Sequence, residues 1–213
     1  MTELDKQPPT VFVVDDDPAI RVAMQALMES VHLRHEIFSS ADEFLEQYSD
    51  DRGGCLVLDI RMPGLGGLEL QELLVQRHNT LPIIFITGHG DVPMAVEAMQ
   101  KGAVDFIQKP FRDQDLLDRI HDALKADRER RVERQQRSEV VERVARLTNR
   151  EHEVFDLVVT GKANKVIAYE LGVSQRTVEI HRARVMEKME ARSFADLVQK
   201  VVKTGPGRDR EST

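Results

Sequence analysis

The sequence predicts two folded parts: an α/β domain built on a doubly wound, five-stranded parallel sheet, and behind it an all-α module of four helices. Three observations carry that expectation. Apolar runs without alternation stand at 10–14, 55–58 and 81–86, each closed by acids or a turn signal, as suits strands buried on both faces of a parallel sheet. Segments with apolar residues at helical spacing lie between them, the alternation expected of such a sheet. Charge then shifts along the chain: residues 1–125 hold 11 Lys and Arg against 22 Asp and Glu, whereas residues 126–213 hold 19 against 15.

In order, TVFVVDDD over 10–17 is a strand ending in three acids, and Asp17 followed by Pro18 suits a helix cap with proline at the first helical position. That helix runs to about Ser30, with Ile20, Ala23, Leu27 and Val31 at helical spacing. A short strand is expected over 35–39, and Ser40-x-x-Glu43 reads as a capping box opening the second helix. Strand 55–59 and helix 68–77 follow, then strand 81–87, helix 91–101, strand 102–110 and a fifth helix marked by Leu116, Leu117, Ile120, Ala123 and Leu124. No Gly or Pro interrupts 111–160. Residues 126–146 are dense in opposite charges four apart (Asp127/Arg131, Glu133/Arg137, Glu139/Arg143, Glu142/Arg146), so they read as a plain exposed helix continuing the fifth.

The remaining residues form a compact helical pattern. Thr148-x-x-Glu151 is a second capping box, Gly161 ends that helix, and a helix over 163–171 follows. Gly172-Val173-Ser174 makes a tight turn into a third helix reaching about Met189, and Ser193 opens a fourth. Helix, short Gly-containing turn, helix is the helix-turn-helix arrangement.

Cys55 is the single cysteine, so no intrachain disulfide forms and a reducing, cytoplasmic setting is expected. No apolar stretch approaches the roughly 18 residues of a spanning helix, and the opening residues carry no signal pattern.

The chemistry collects at strand ends. Asp15 and Asp16, Asp59, Thr87 and Lys109 close the first, third, fourth and fifth strands, where open α/β sheets bind ligands. Each alone has an ordinary reading: a helix cap, a turn former, a surface lysine. Together they suit phosphoryl chemistry. Clustered carboxylates attract a small divalent ion such as Mg²⁺, a carboxylate can act as nucleophile, and a hydroxyl and an ammonium can receive phosphoryl oxygens. Other constellations fail: a haloacid-dehalogenase phosphatase needs a second Asp where Arg61 stands, Gly64–Gly67 is no dinucleotide motif, and there is no P-loop. His32 and His35 read as surface residues, and His89 as a loop residue beside the site.

VVDDDP, LDIRMPG, FITGHGD and DFIQKPF resemble the receiver domain of two-component response regulators, over residues 10 to about 125. The resemblance implies a flavodoxin-like sheet, with Asp59 as the phosphorylated residue and Asp15 and Asp16 as its acidic pocket. It further implies Mg²⁺ held by Asp16, Asp59 and the backbone carbonyl of Arg61, phosphoryl sensing by Thr87 and Lys109, a switch at Phe106, and a cis Lys109–Pro110 bond. TNREHEVF, G-K-x-N-K-x-I-A and S-x-x-TVE-x-H resemble the LuxR-type helix-turn-helix domain, and the domain order is similar to the FixJ-like class. That resemblance puts the third helix of the module in the major groove. Its expected DNA-binding residues are Asn164, Lys165, Gln175, Arg176, Thr177, Glu179, His181, Arg184 and Lys188, with Lys162 also near phosphates.

The expected organisation is a disordered start over 1–9, a receiver over 10–125, a helical linker over 126–146, a DNA-binding domain over 147–203 and a disordered tail over 204–213. The implied function is a phosphorylation-dependent transcriptional regulator, not an enzyme beyond promoting its own aspartyl phosphorylation and dephosphorylation. Its implied partners are a sensor histidine kinase, promoter DNA, RNA polymerase and, on phosphorylation, a second copy of itself, with no membrane. The implied dimer face is helix 91–101 with strand 103–107, where Met94, Val96 and Ala98 are candidate contacts. A phosphohydrolase and a DNA-binding protein with a vestigial receiver are the competing readings.

Overall fold

The computed structural model describes residues 8–88 and 92–204. His89 and Asp91 lie outside the described residues, as do nearly all of the expected disordered start and tail. Two compact units separate between Val132 and Glu133.

The first unit follows the order β1 (Thr10–Val14), α1 (Pro18–Ser30), β2 (His35–Phe38), α2 (Ala41–Gln47), β3 (Gly54–Asp59), α3 (Gly67–Gln76), β4 (Ile83–Thr87), α4 (Val92–Gln100), β5 (Asp105–Gln108) and the part of α5 (Asp113–Ala145) up to Val132. All strand pairs are parallel, in the spatial order β2-β1-β3-β4-β5. This is the flavodoxin-like order, which reverses direction at the β1/β3 boundary and opens a crevice beyond those two strands.

Side chains alternate across each strand. Phe12, Leu56, Leu58 and Phe85 pack with Phe44, Leu70, Leu74 and Ala95 on one face. Val11, Val13, Val57, Ile84 and Ile86 pack with Met24, Met28, Leu116 and Ile120 on the other. Each fully buried side chain of this size contributes about 1.5–3 kcal/mol, so the sheet rigidly fixes the residues at its ends. Gly54 begins β3 at φ 153°, where a Cβ would sit 1.8 Å from the Thr10 carbonyl oxygen.

Several local expectations are corrected. Ser40 Oγ accepts from Glu43 N, but the Glu43 carboxylate turns to the N–H and hydroxyl of Ser39, so the capping box is half formed. Ala98 is fully buried, with its carbonyl accepting from Gln71 Nε2 at 3.0 Å, and cannot serve as a surface contact. The fifth helix does continue through the charge-dense stretch, to Ala145, but it is not a plain solvated helix. Asp127 is 4% exposed, and its Oδ2 accepts from Gly54 N at 2.9 Å. Val140 is buried in the second unit's core, with Val144 packed against it. Of the four expected charge pairs, Glu139–Arg143 stands at 3.6 Å and Glu142–Arg146 at 3.8 Å, both loose.

The second unit contains α6 (Asn149–Val159), α7 (Asn164–Leu171), α8 (Gln175–Lys188) and α9 (Phe194–Thr204). Val154, Phe155, Val158, Ile167, Val178, Val185, Met189 and Leu197 form its core. Gly172 ends α7 at φ 66°, a left-handed conformation that glycine adopts without strain. Ser174 caps α8 by accepting from Thr177 N. The helix-turn-helix is formed by α7 and α8.

Candidate functional site

Register brings the strand-end residues together. Val14 pairs with Leu58, so Asp15 and Asp59 follow at neighbouring ends of β1 and β3. Lys109 N donates to the Thr87 carbonyl at 2.8 Å, which carries the lysine to the same edge. Lys109 Nζ then donates to Asp15 Oδ2 at 2.9 Å and to Asp59 Oδ1 at 2.8 Å. The second oxygens are also held: Asp15 Oδ1 accepts from Asp17 N at 2.9 Å, and Asp59 Oδ2 from Arg61 N at 2.8 Å. The Lys109–Pro110 peptide is cis.

Asp15 is fully buried and Asp59 is 7% exposed, whereas Asp16 stands in solvent. Burial pushes the Asp59 carboxyl above its ordinary value; the Lys109 hydrogen bond and charge offset part of that rise, and Asp15 adds to it. Burial opposes the charge of Lys109, but its hydrogen bonds to Asp59 and Asp15 outweigh it and raise the ammonium's pKa. The result is a desolvated carboxylate, oriented from two sides, beside an assured cation. That arrangement suits a nucleophile whose product carries additional negative charge.

Thr87 is buried and its hydroxyl donates to the Ile107 carbonyl at 3.4 Å. Phe106 is partly buried against the core on the same edge of the sheet. Thr87 and Phe106 therefore sit on adjacent strands, paired through Phe85↔Phe106 and Thr87↔Gln108.

Among the described residues, no three or more His, Cys, Asp or Glu side chains form a ready metal cage. Mg²⁺ needs only one or two carboxylates with retained waters, and the hard oxygens of Asp16 and Asp59 fit that requirement. Arg61 is exposed, two residues beyond the end of β3 at Asp59. Sequence reasoning missed Arg21, whose guanidinium donates to the carbonyls of both Asp15 and Asp16 at 2.8 and 2.7 Å. Its only signal was an arginine one helical turn after the acid run.

In the second unit, Gln175, Arg176, Glu179 and Arg184 are exposed on α8, and Lys165 is exposed on α7. Arg176 and Glu179 form a loose ion pair at 3.5 Å. Thr177 is half-buried, its hydroxyl 2.9 Å from that of Ser174. His181 is half-buried, and its Nδ1 is buried with no hydrogen-bond partner among the described residues. Asn164 Oδ1 accepts from Arg182, whose guanidinium also lies 5.6 Å from the Phe194 ring centroid. Lys162 is engaged with Glu170 at 2.7 Å.

Lys188 is committed elsewhere than expected. Its ammonium donates to Glu151 Oε2 at 2.6 Å and to the Arg146 carbonyl at 3.1 Å. Glu151 is buried and also accepts from Thr148 N at 2.8 Å, completing its capping box. Lys188 thus fastens the end of α8 to the start of α6.

The receiver fold with its acid–lysine cluster, and the helix-turn-helix unit behind it, define a response regulator. The family described as response regulator receiver domain matches residues 11–121, and that described as bacterial regulatory proteins, luxR family, matches residues 145–201. The chain belongs to the response regulators of two-component systems and is a transcriptional regulator with a LuxR-type DNA-binding domain. Nodulation protein W of Bradyrhizobium diazoefficiens is 49% identical to it over 189 residues, covering 89% of this chain and 83% of that protein. The transcriptional regulatory protein FixJ of Azorhizobium caulinodans is 45% identical over 195 residues, 92% of each chain. The solved response regulator StyR is 46% identical, with a TM-score of 0.85 over 92% of this chain and 100% of that one. Full-length FixJ from B. japonicum is 39% identical, with a TM-score of 0.57 over 93% and 98%. Its particular place is thus among the FixJ-like regulators. Among the described residues, no helix is long and apolar enough to cross a membrane.

Proposed function

We propose that Asp59 accepts a phosphoryl group from a sensor histidine kinase, and that the phosphorylated chain pairs with a second copy and binds promoter DNA. The observation that carries this reading is Lys109 bridging Asp15 and Asp59 at the sheet's topological switch point. One Asp59 oxygen attacks the phosphorus of a phosphohistidine, the P–N bond breaks, and an acyl phosphate forms as the imidazole leaves. Mg²⁺, held by Asp16, Asp59 and the Arg61 carbonyl, would neutralise charge on the phosphoryl oxygens.

The new group adds roughly −1.5 to −2 charge at one point. Lys109 stays as its counter-ion. Thr87 leaves the Ile107 carbonyl to donate to a phosphoryl oxygen, and Phe106 follows into the space beside it. This repacks the α4–β5 face, where Val96 is 49%, Met99 38% and Val104 39% exposed. That face is the proposed homodimer surface, with Val96, Met99 and Val104 as its apolar contacts.

In the second unit α8 enters the major groove, where Gln175, Arg176, Glu179 and Arg184 meet base edges and Asn164, Lys165, Thr177 and His181 lie toward the backbone. Contact with RNA polymerase follows once the dimer is seated. The domain limits expected from the sequence are retained, except that Asp127, which accepts from Gly54 N, and Arg131, which donates to the Asp51 carbonyl at 2.6 Å, work as part of the receiver. The test is a small phosphodonor with Mg²⁺, read by intact mass and ultracentrifugation. One phosphate adduct on Asp59 and a doubled mass are expected. An adduct that persists in Asp59→Asn removes the assignment, and an adduct without a mass change removes the dimer.

A further inference from the structure

Arg21 occupies the fourth position of α1, with its backbone N–H on the Asp17 carbonyl at 3.1 Å. Its side chain turns back and donates to the carbonyls of Asp15 and Asp16 through the same nitrogen, at 2.8 and 2.7 Å. The loop is otherwise closed by Asp17 N on Asp15 Oδ1 at 2.9 Å and Ala19 N on Asp17 Oδ1 at 2.8 Å. Two successive peptide groups are therefore fixed by one cation. Asp16 stands exposed in this loop, and its carboxylate is the metal ligand proposed for it.

We propose that Arg21 is the positioning residue of the metal-binding loop: it sets the backbone that aims Asp16, and it strengthens divalent-ion binding although it is itself a cation. The inference rests on the reading of Asp16 and Asp59 as Mg²⁺ ligands. Electrostatics alone predicts the opposite sign, because a guanidinium beside the site repels a divalent ion. Groups that orient metal ligands characteristically change affinity on the order of tenfold or more when removed, which exceeds the screened repulsion of one partly exposed charge. Arginine is suited to the task, since one guanidinium nitrogen carries two N–H donors, one for each carbonyl, and the group keeps its charge.

The sign of one measurement decides. Mg²⁺ binding to the full chain is titrated calorimetrically, with Mn²⁺ resonance as a second probe, for the native protein and for Arg21→Ala, Arg21→Gln and Asp16→Asn. The proposal expects roughly tenfold weaker binding in Arg21→Ala and an intermediate loss in Arg21→Gln, which keeps a donor without the charge. Faster hydrogen exchange of the Asp17 amide should accompany the loss, with the thermal transition of the rest of the receiver retained. Equal or tighter Mg²⁺ binding in both Arg21 variants overturns the positioning role and leaves only a charge effect. If Arg21→Ala does not fold, Arg21→Gln decides by the same sign. Native protein that binds no Mg²⁺, or Asp16→Asn that binds like native, overturns the metal assignment itself, and this proposal with it. A loss in Asp16→Asn with none in the Arg21 variants overturns this proposal alone.

Discussion

Two lysines, one in each unit, hold a buried carboxylate, and the two contacts have opposite electrostatic outcomes. Lys109 bridges Asp15 and Asp59, yet the Asp59 carboxyl remains above its ordinary value because burial is the largest influence on it. Lys188 meets Glu151, whose carboxyl is lowered to about 2, first by that lysine and then by the Thr148 N–H of its capping box. Glu151 has every reason to stay as it is: it caps α6 and ties that helix to the end of α8. Asp59 is oriented but left costly in its charged form, the condition that suits the phosphoryl acceptor proposed above. A lysine–carboxylate contact thus fastens two helices in the helical module and orients a desolvated carboxylate at the end of the sheet.

The largest expected effect breaks that comparison at its reactive end. Asp59→Asn should abolish the phosphate adduct completely, as read by intact mass, whereas Glu151→Gln should leave labelling unchanged. Asp59→Asn should also stabilise the unphosphorylated receiver near neutral pH. A carboxyl with a raised folded pKa destabilises the fold while ionised, so the advantage of Asn should shrink as pH falls through that raised value toward the unfolded value of 3.8. Parallel melting curves for the two proteins from neutral pH to pH 4 would check the sign.

The fastening end gives the next effect. Lys188→Met should destabilise the second unit by about 2 kcal/mol, the scale of losing the hydrogen-bonded partner of a buried charge. Amide exchange across α6 and α8 would report it. The pH dependence runs opposite to that of Asp59. Glu151 titrates below its unfolded value of 4.5, so its contribution is full above that pH and is lost as pH falls toward about 2. Loss of this unit's exchange protection should therefore begin below pH 4.5 in the native chain and be muted in Glu151→Gln.

What could be read from the sequence divides along the same line. The strands and their terminal acids were legible because the signals are local: an apolar run, a carboxylate, then a turn. The fastenings were not, because each joins residues far apart in the chain. Asp127 lies in a stretch that reads as a solvated charge ladder, and its burial depends on Gly54, 73 residues earlier. Gly53 leaves room for it: a Cβ there would come within 3.1 Å of Asp127 Oδ2. Lys188 sits among arginines on a helix that reads as a DNA face, and its ammonium is paired with a carboxylate 37 residues away on another helix. Glu43 offered the right spacing for a capping box but took the nearer hydroxyl and N–H of Ser39. Local pattern shows where charge is placed; tertiary contact decides whether that charge is fastened or available.

The smallest expected effect sharpens this distinction within the DNA-binding module. Lys165 and Lys188 are both basic and both belong to the helix-turn-helix unit, but Lys165 is exposed while the ammonium of Lys188 is already paired. An exposed lysine that neutralises one phosphate releases condensed counter-ions, and its loss lowers the slope of log K against log salt by about 1. Lys165→Ala should therefore weaken operator binding evenly across sequences and flatten the salt dependence by that amount. Lys188→Ala should weaken binding only as far as it loosens α8, with the slope unchanged. Arg184→Ala should relax preference at one base position if that side chain reaches a guanine edge, a discrimination of about 1–3 kcal/mol. Operator affinities for the phosphorylated full chain, measured over a salt series with each variant, provide all three slopes. A slope that falls in Lys188→Ala as far as in Lys165→Ala would mean that the internal pair opens on DNA, and that Lys188 belongs with the contacts after all.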